Sequence, residues 1–165
     1  MPTSAEHAVG AGRAVGAGRA TKRSGEAATA VDALLDTSTA VALLVADHEA
    51  HAATVEATRG MRLGLAGHAW FETYSVLTRM PAGVRRSPGD VRRLLVHDFV
   101  GAWFLDATAT AALTEELPRL RVSGGAVYDA LVGAAARHHD QLLLTGDRRA
   151  LRTYDALGVR VRLVE

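Results

Sequence analysis

The sequence predicts an α/β fold, a three-layer α/β/α domain with a mainly parallel central sheet. Three observations carry that prediction. Short apolar runs end abruptly on polar residues, as Leu142, Leu143 and Leu144 end on Thr145 and Asp147, and such runs read as strands covered on both faces. Stretches of helical length and spacing lie between them, and strands alternating with helices imply parallel pairing through crossovers. One stretch, residues 125–138, is apolar nearly all round, as expected of a helix buried at the centre of a domain.

Residues 1–29 stand apart from this pattern. They are rich in Ala, Gly and Arg and contain Ala-Val-Gly-Ala-Gly-Arg twice, at 8–13 and 14–19. Without aromatic residues or an amphipathic period they cannot bury enough surface to offset the entropy of ordering, so a disordered tail is expected. Gly10, Gly12 and Gly16 sketch a dinucleotide-binding pattern, but no strand precedes them and no helix follows. Arginines and glycines also break up any apolar centre of a secretory signal.

The folded domain is expected over residues 30–165. Val31 to Leu35 forms the first strand and ends on Asp36. Thr37, Ser38 and Thr39, all good N-caps, lead into an apolar helix over 40–46. A helix over 49–59 and a strand over 62–66 follow, and Gly67 turns the chain into a helix over 69–79. The inner stripe of that helix is Trp70, Tyr74 and Leu77, and Glu72 lies in its first turn. Ser87, Pro88 and Asp90 read as an N-cap, an N1 proline and an acidic first turn of a helix reaching Phe99. A third strand is expected over 102–105, then a helix over 107–117 stopped by Pro118. The apolar helix over 125–138, capped by Ser123, carries Asp129 near its start and leads into a strand over 141–144. A helix over 148–157, a stop at Gly158 and a strand over 159–164 complete the chain.

The totals narrow the function classes. At 165 residues the chain can bury a core without staples. The absence of cysteine excludes disulfides and thiolate metal sites and fits a reducing cytoplasm. A net charge of +1 argues against a protein that coats nucleic acid through a broad basic surface. No run approaches the roughly 18 apolar residues of a membrane span.

In this element order Asp36, Glu72, Asp129 and Asp147 converge from four separate elements on the C-terminal edge of the sheet, where open parallel sheets bind ligands. Two carboxylates about 4 Å apart repel by roughly 4 kcal/mol at an effective dielectric near 20, so four together call for a counter-charge. All-oxygen ligands without Cys or an organised His set select hard divalent ions such as Mg²⁺ or Mn²⁺. Such an ion can orient a phosphodiester, activate a water and stabilise charge on the leaving oxygen, which points to metal-dependent phosphodiester hydrolysis. Any one Asp at a strand end is commonly a cap or turn residue. Asp129 is the hardest to read that way, because an unpaired carboxylate in so apolar a helix is costly. Arg148 and Arg149 follow Asp147 on the same edge and are the best candidates for phosphate contacts.

Asp36-Thr37-Ser38 after the first strand, Glu72 in a following helix, Tyr128-Asp129-Ala130 in the buried helix and Thr145-Gly146-Asp147-Arg148 after the fourth strand together resemble a PIN domain. Their order, with Gly158-Val159 near the end, is similar to the VapC-type toxins of bacterial toxin–antitoxin modules. The resemblance covers about residues 31–165. It implies a Mg²⁺-dependent endoribonuclease, with Mn²⁺ a possible substitute, acting on RNA, held in check by a small cognate VapB-like antitoxin, and forming a homodimer. It also implies Asp36 and Asp129 as the surest metal ligands, Glu72 and Asp147 as completing the site, and Ser38 and Thr145 as hydrogen-bonding to the carboxylates or the substrate. Ala150 departs from the pattern, since such proteins often carry a larger apolar or aromatic residue there, and this bears on local packing. The long tail before Val31 departs from it as well.

Two other readings fit the sequence less well. A catalytically silent PIN-like module that binds RNA or protein would tend to lose carboxylates, and this set is complete. A phosphotransfer domain with Asp36 as nucleophile would need an Asp-x-Asp pair, whereas position 38 is Ser. His48 and His51 are spaced i, i+3 and lack a third ligand, so they read as an exposed helix rather than a zinc site.

Overall fold

The computed structural model describes residues 30–165; the expected tail lies outside the described residues. Five strands, β1 Ala33–Leu35, β2 Leu63–Ala66, β3 Ala102–Trp103, β4 Leu143–Thr145 and β5 Val161–Leu163, form one parallel sheet in the order β3-β2-β1-β4-β5. Seven helices connect them among the described residues: α1 Thr37–Leu44, α2 His51–Thr58, α3 Ala69–Arg79, α4 Pro88–Asp98, α5 Ala107–Arg119, α6 Ala126–His138 and α7 Leu151–Ala156. This is the three-layer arrangement expected from the alternation of strands and helices.

The two faces of the sheet follow from the pleat, since neighbouring residues of a strand point to opposite sides. Leu34, Ala66 and Leu143 pack with Ala130, Ala134, Tyr154 and Leu157 on the side of α5, α6 and α7. Ala33, Leu35, Leu65 and Leu144 pack with Leu77, Val91 and Leu95 on the side of α1, α3 and α4. The three inner strands are buried throughout, which is why their sequences read as continuous apolar runs rather than alternating ones. Gly64 makes room on the first side: a β-carbon there would stand 2.2 Å from the Trp103 ring.

Several boundaries differ from expectation for local reasons. The cap of α1 is Asp36 itself, whose side chain accepts from the Thr39 amide, so the helix begins at Thr37. Helix α5 runs through Pro118 to Arg119, because a proline in the last turn removes only one amide and the Leu120 and Val122 amides still close the end onto Glu116 and Leu117. Ser123 does not cap α6; the chain enters that helix through Gly124 at φ 56° and Gly125, without a side-chain cap. Helix α7 starts at Leu151 rather than Arg148, because Asp147 bonds the Arg149 amide in a turn of its own. Gly158, at φ 68°, ends it as expected.

What the topology does for function lies between β1 and β4. From β1 the chain winds outward through β2 to β3, then returns to the other side of β1 for β4 and β5. The order therefore reverses between β1 and β4, and a crevice opens there beyond the carboxyl ends of the strands.

Candidate metal-dependent active site

Asp36 ends β1 at this reversal and is only 4% exposed. One carboxylate oxygen, Oδ1, accepts from the Thr39 amide at 2.9 Å and from the Ser38 hydroxyl at 2.7 Å. The other accepts from the Thr145 hydroxyl at the end of β4. Both hydroxyls are also acceptors: Ser38 Oγ receives the Gly146 amide at 2.8 Å, and Thr145 Oγ1 receives the Asp147 amide at 3.0 Å. Each hydroxyl has one proton, and both protons point at Asp36. Two relays thus tie the ends of β1 and β4 together through one buried carboxylate. Burial nevertheless outweighs these donors and raises the Asp36 pKa above its ordinary value.

Glu72 sits in the first turn of α3, half-buried, and accepts from the Thr37 hydroxyl at 2.7 Å. Asp147 follows β4 and is clasped by Arg149: the amide donates to Oδ1 at 2.8 Å, Nε to Oδ1 at 3.1 Å and Nη2 to Oδ2 at 3.1 Å. Those hydrogen bonds hold its pKa below the usual carboxylate value. Asp129, in the first turn of α6, receives no hydrogen bond that the described residues supply. Its pKa is pushed up by burial first, then by the charges of Asp147, Asp36 and Glu72, with Arg149 opposing. The four acids therefore differ: three have donors, whereas Asp129 has none among the described residues and is surrounded mainly by like charges.

Asp36, Glu72, Asp129 and Asp147 line one cavity of about 190 Å³, with Thr37, Ser38, Val132 and Tyr154. All four acids picked out in the sequence are thus brought together. Thr145 is fully buried behind Asp36. Arg149 lies at the rim with its side chain 91% exposed. Arg148 turns away to pair with Glu165 at the chain end. Thr37 and Tyr154 were missed as site residues. Thr37 lay within the quoted Asp-Thr-Ser motif, but nothing local said that it would reach Glu72. Tyr154 carried no local signal at all.

The donor set fits a hard divalent cation in its chemistry: four carboxylates, all-oxygen, around a cavity, one of them without any proton donor among the described residues. Among the described residues no three acids already surround one point at ligating range. An ion would draw the carboxylates inward or keep waters in its shell, as Mg²⁺ commonly does. His48 and His51 belong to a different structure. Both are half-buried rather than exposed: His48 Nδ1 accepts from the Ala50 amide at 3.1 Å, and His51 Nδ1 lies 2.9 Å from the Ala42 carbonyl, so they fasten the turn into α2.

A parallel sheet of this order with acids gathered at its switch point is the architecture of a PIN-type nuclease domain, and the PIN domain family profile matches residues 33–156. The chain belongs to the PIN-domain family, as a VapC-type PIN ribonuclease. It is 46% identical over 127 residues to Ribonuclease VapC27 of Mycobacterium tuberculosis, covering 77% of this chain and 93% of that protein. It is also 46% identical over 132 residues to Ribonuclease VapC40 of the same organism, covering 78% of this chain and 96% of that one.

Proposed function

We propose that residues 30–165 form a Mg²⁺-dependent endoribonuclease, with Mn²⁺ able to substitute, in which Asp36, Asp129, Glu72 and Asp147 hold the cation. The observation that supports this most is the convergence of four carboxylates from four elements on one cavity, with Asp129 lacking any donor among the described residues. When bound, the cation would orient a phosphodiester and supply the positive charge that the attack of water on phosphorus requires. The chain's own contribution is placement. Ser38, Thr145 and the Thr39 amide fix Asp36, and Thr37 fixes Glu72, so that both carboxylates present set oxygens to the cavity. Arg149, exposed at the rim, meets the phosphate backbone of the RNA, and Arg148 would join it by giving up its pairing with Glu165.

The likeness to VapC ribonucleases supports a toxin of a toxin–antitoxin module, silenced by a small VapB-like antitoxin. A cluster of carboxylates suits an arginine fork from such a partner. Assembly as a homodimer is supported by a pair of exposed aromatic residues: Phe71 and Phe104 are 59% and 45% exposed, their ring centroids 5.7 Å apart. No helix among the described residues is long and apolar enough to cross a membrane, and action in the cytoplasm is the reading that accords with an RNA substrate.

The test is cleavage of single-stranded or loop RNA by protein freed of any partner. Activity should depend on added Mg²⁺ or Mn²⁺, disappear with a chelator, and be lost in Asp36→Asn and Asp129→Asn. Undiminished cleavage by either variant would overturn the assignment of the site.

A further inference from the structure

Tyr154 is a buried tyrosine whose hydroxyl the core does not use. It lies on α7, 1% exposed, and its ring rests against α6 at Gly133, where a β-carbon would come within 2.8 Å of Cδ1. The ring fills space one turn on from Ala150, the position at which a larger residue was expected, and both belong to the same cluster. The hydroxyl has no hydrogen-bond partner among the described residues, and it is not sealed from solvent, since the buried polar atoms left unpartnered there are Thr39 Oγ1 and Thr73 Oγ1. Tyr154 instead lines the acidic cavity. All four carboxylates act on its phenol and, after burial, raise its pKa, so it remains a proton donor at neutral pH.

The same cavity contains the converse orphan. Asp36, Glu72 and Asp147 each receive at least one donor, whereas Asp129 receives none from the described residues. A donor without an acceptor and an acceptor without a donor therefore face one space of about 190 Å³. We infer that Tyr154 is a positioning residue of this site, its phenol O–H and the Asp129 carboxylate sharing one ordered water that fixes Asp129 for the cation. Among the described residues no hydrogen bond joins the two groups, and polar groups that line one space are commonly bridged by water where the space is polar and large enough.

The inference rests on the reading that these acids hold a divalent cation, and Tyr154→Phe tests it. Phenylalanine preserves the ring packing and deletes only the hydroxyl. Three quantities are compared with wild type: melting temperature in chelator, Mn²⁺ affinity by titration calorimetry, and RNA cleavage. The expected result is a metal-free melting temperature within about 2 °C of wild type, because no protein hydrogen bond is lost. Mn²⁺ affinity should fall roughly tenfold, as when a group behind a metal ligand is removed, and kcat should fall similarly with KM for RNA unchanged. Wild-type Mn²⁺ affinity and wild-type cleavage in the variant would overturn the role of Tyr154 alone. A fall of about 5 °C or more in chelator would overturn it too, by showing that the hydroxyl is satisfied within the protein. If wild-type protein itself failed to bind Mn²⁺, the metal reading would fall and this inference with it.

Discussion

Arg149 holds both carboxylate oxygens of Asp147, Nε at 3.1 Å from Oδ1 and Nη2 at 3.1 Å from Oδ2, across only two residues of chain. At the rim of the acidic cavity Arg149 thus gives its hydrogen bonds to Asp147 and acts on Asp129 through charge alone. Asp147 and Asp129 should consequently respond in opposite ways to loss of charge.

In metal-free protein, Asp129→Asn removes a charge that faces three like charges and has no donor among the described residues. Its melting temperature should rise by about 2–4 °C, a modest gain because the group is only half-buried. Asp147→Asn leaves Arg149 without its ion-pair partner and should not raise the melting temperature, while cleavage is lost in both variants. The comparison is made by thermal unfolding in chelator. An equal rise for the two variants would show that the Arg149 clasp contributes nothing to the apo fold.

Arg149 also competes with any cation for Asp147. Arg149→Ala should therefore strengthen Mn²⁺ binding by up to about fivefold, the range set by an exposed ion pair. The same change should raise KM for RNA, through loss of a phosphate contact. Calorimetric titration and steady-state cleavage measure the two effects separately. Weaker Mn²⁺ binding in the variant would mean that Arg149 helps to hold Asp147 in its ligating position.

The pH dependence follows from the direction of each shift. The raised pKa of Asp129 means that the native state takes up a proton more readily than the unfolded chain. Its stability contribution is present below the ordinary value of 3.8 and is lost as pH rises through the native value. Asp36 acts in the same sense. Asp147, with a lowered pKa, contributes stability above 3.8 that is lost as pH falls through its native value. In metal-free protein the stability advantage of Asp129→Asn over wild type should therefore widen from about pH 4 towards about pH 7. Melting curves across that range give the answer, and a difference that does not change with pH would remove Asp129 from the repelling set.

Gly133 tests the packing that holds Tyr154 in place. Glycine inside a helix ordinarily costs about 1 kcal/mol relative to alanine, yet at this position a β-carbon would lie 2.8 Å from Tyr154 Cδ1 and 3.1 Å from Val159 Cγ2. Overpacking should outweigh the gain in helix propensity, so Gly133→Ala should destabilise by about 1–3 kcal/mol in denaturant unfolding. A stabilised variant would show that Tyr154 can retreat without penalty.

The sequence by itself determined the elements and the acids. Leu34-Leu35 before Asp36 and Leu143-Leu144 before Thr145 are local patterns, and so is the apolar run around Asp129; burial on both faces of an inner strand leaves its mark in every residue of that strand. The four acids were legible because each sits where such a pattern stops or a helix begins. Only the tertiary structure decided which groups satisfy them. Asp36 meets Thr145 across 109 residues and Thr37 meets Glu72 across 35, contacts created by the placement of β1 between β2 and β4, which no local period encodes. Nor did the sequence distinguish Asp147, clasped by Arg149, from Asp129, which has no donor among the described residues, although the two are the same residue type on the same edge. That difference comes from a turn after β4 that aims a guanidinium at one carboxylate, and from a tyrosine on α7 whose ring belongs to the core while its hydroxyl faces the cavity.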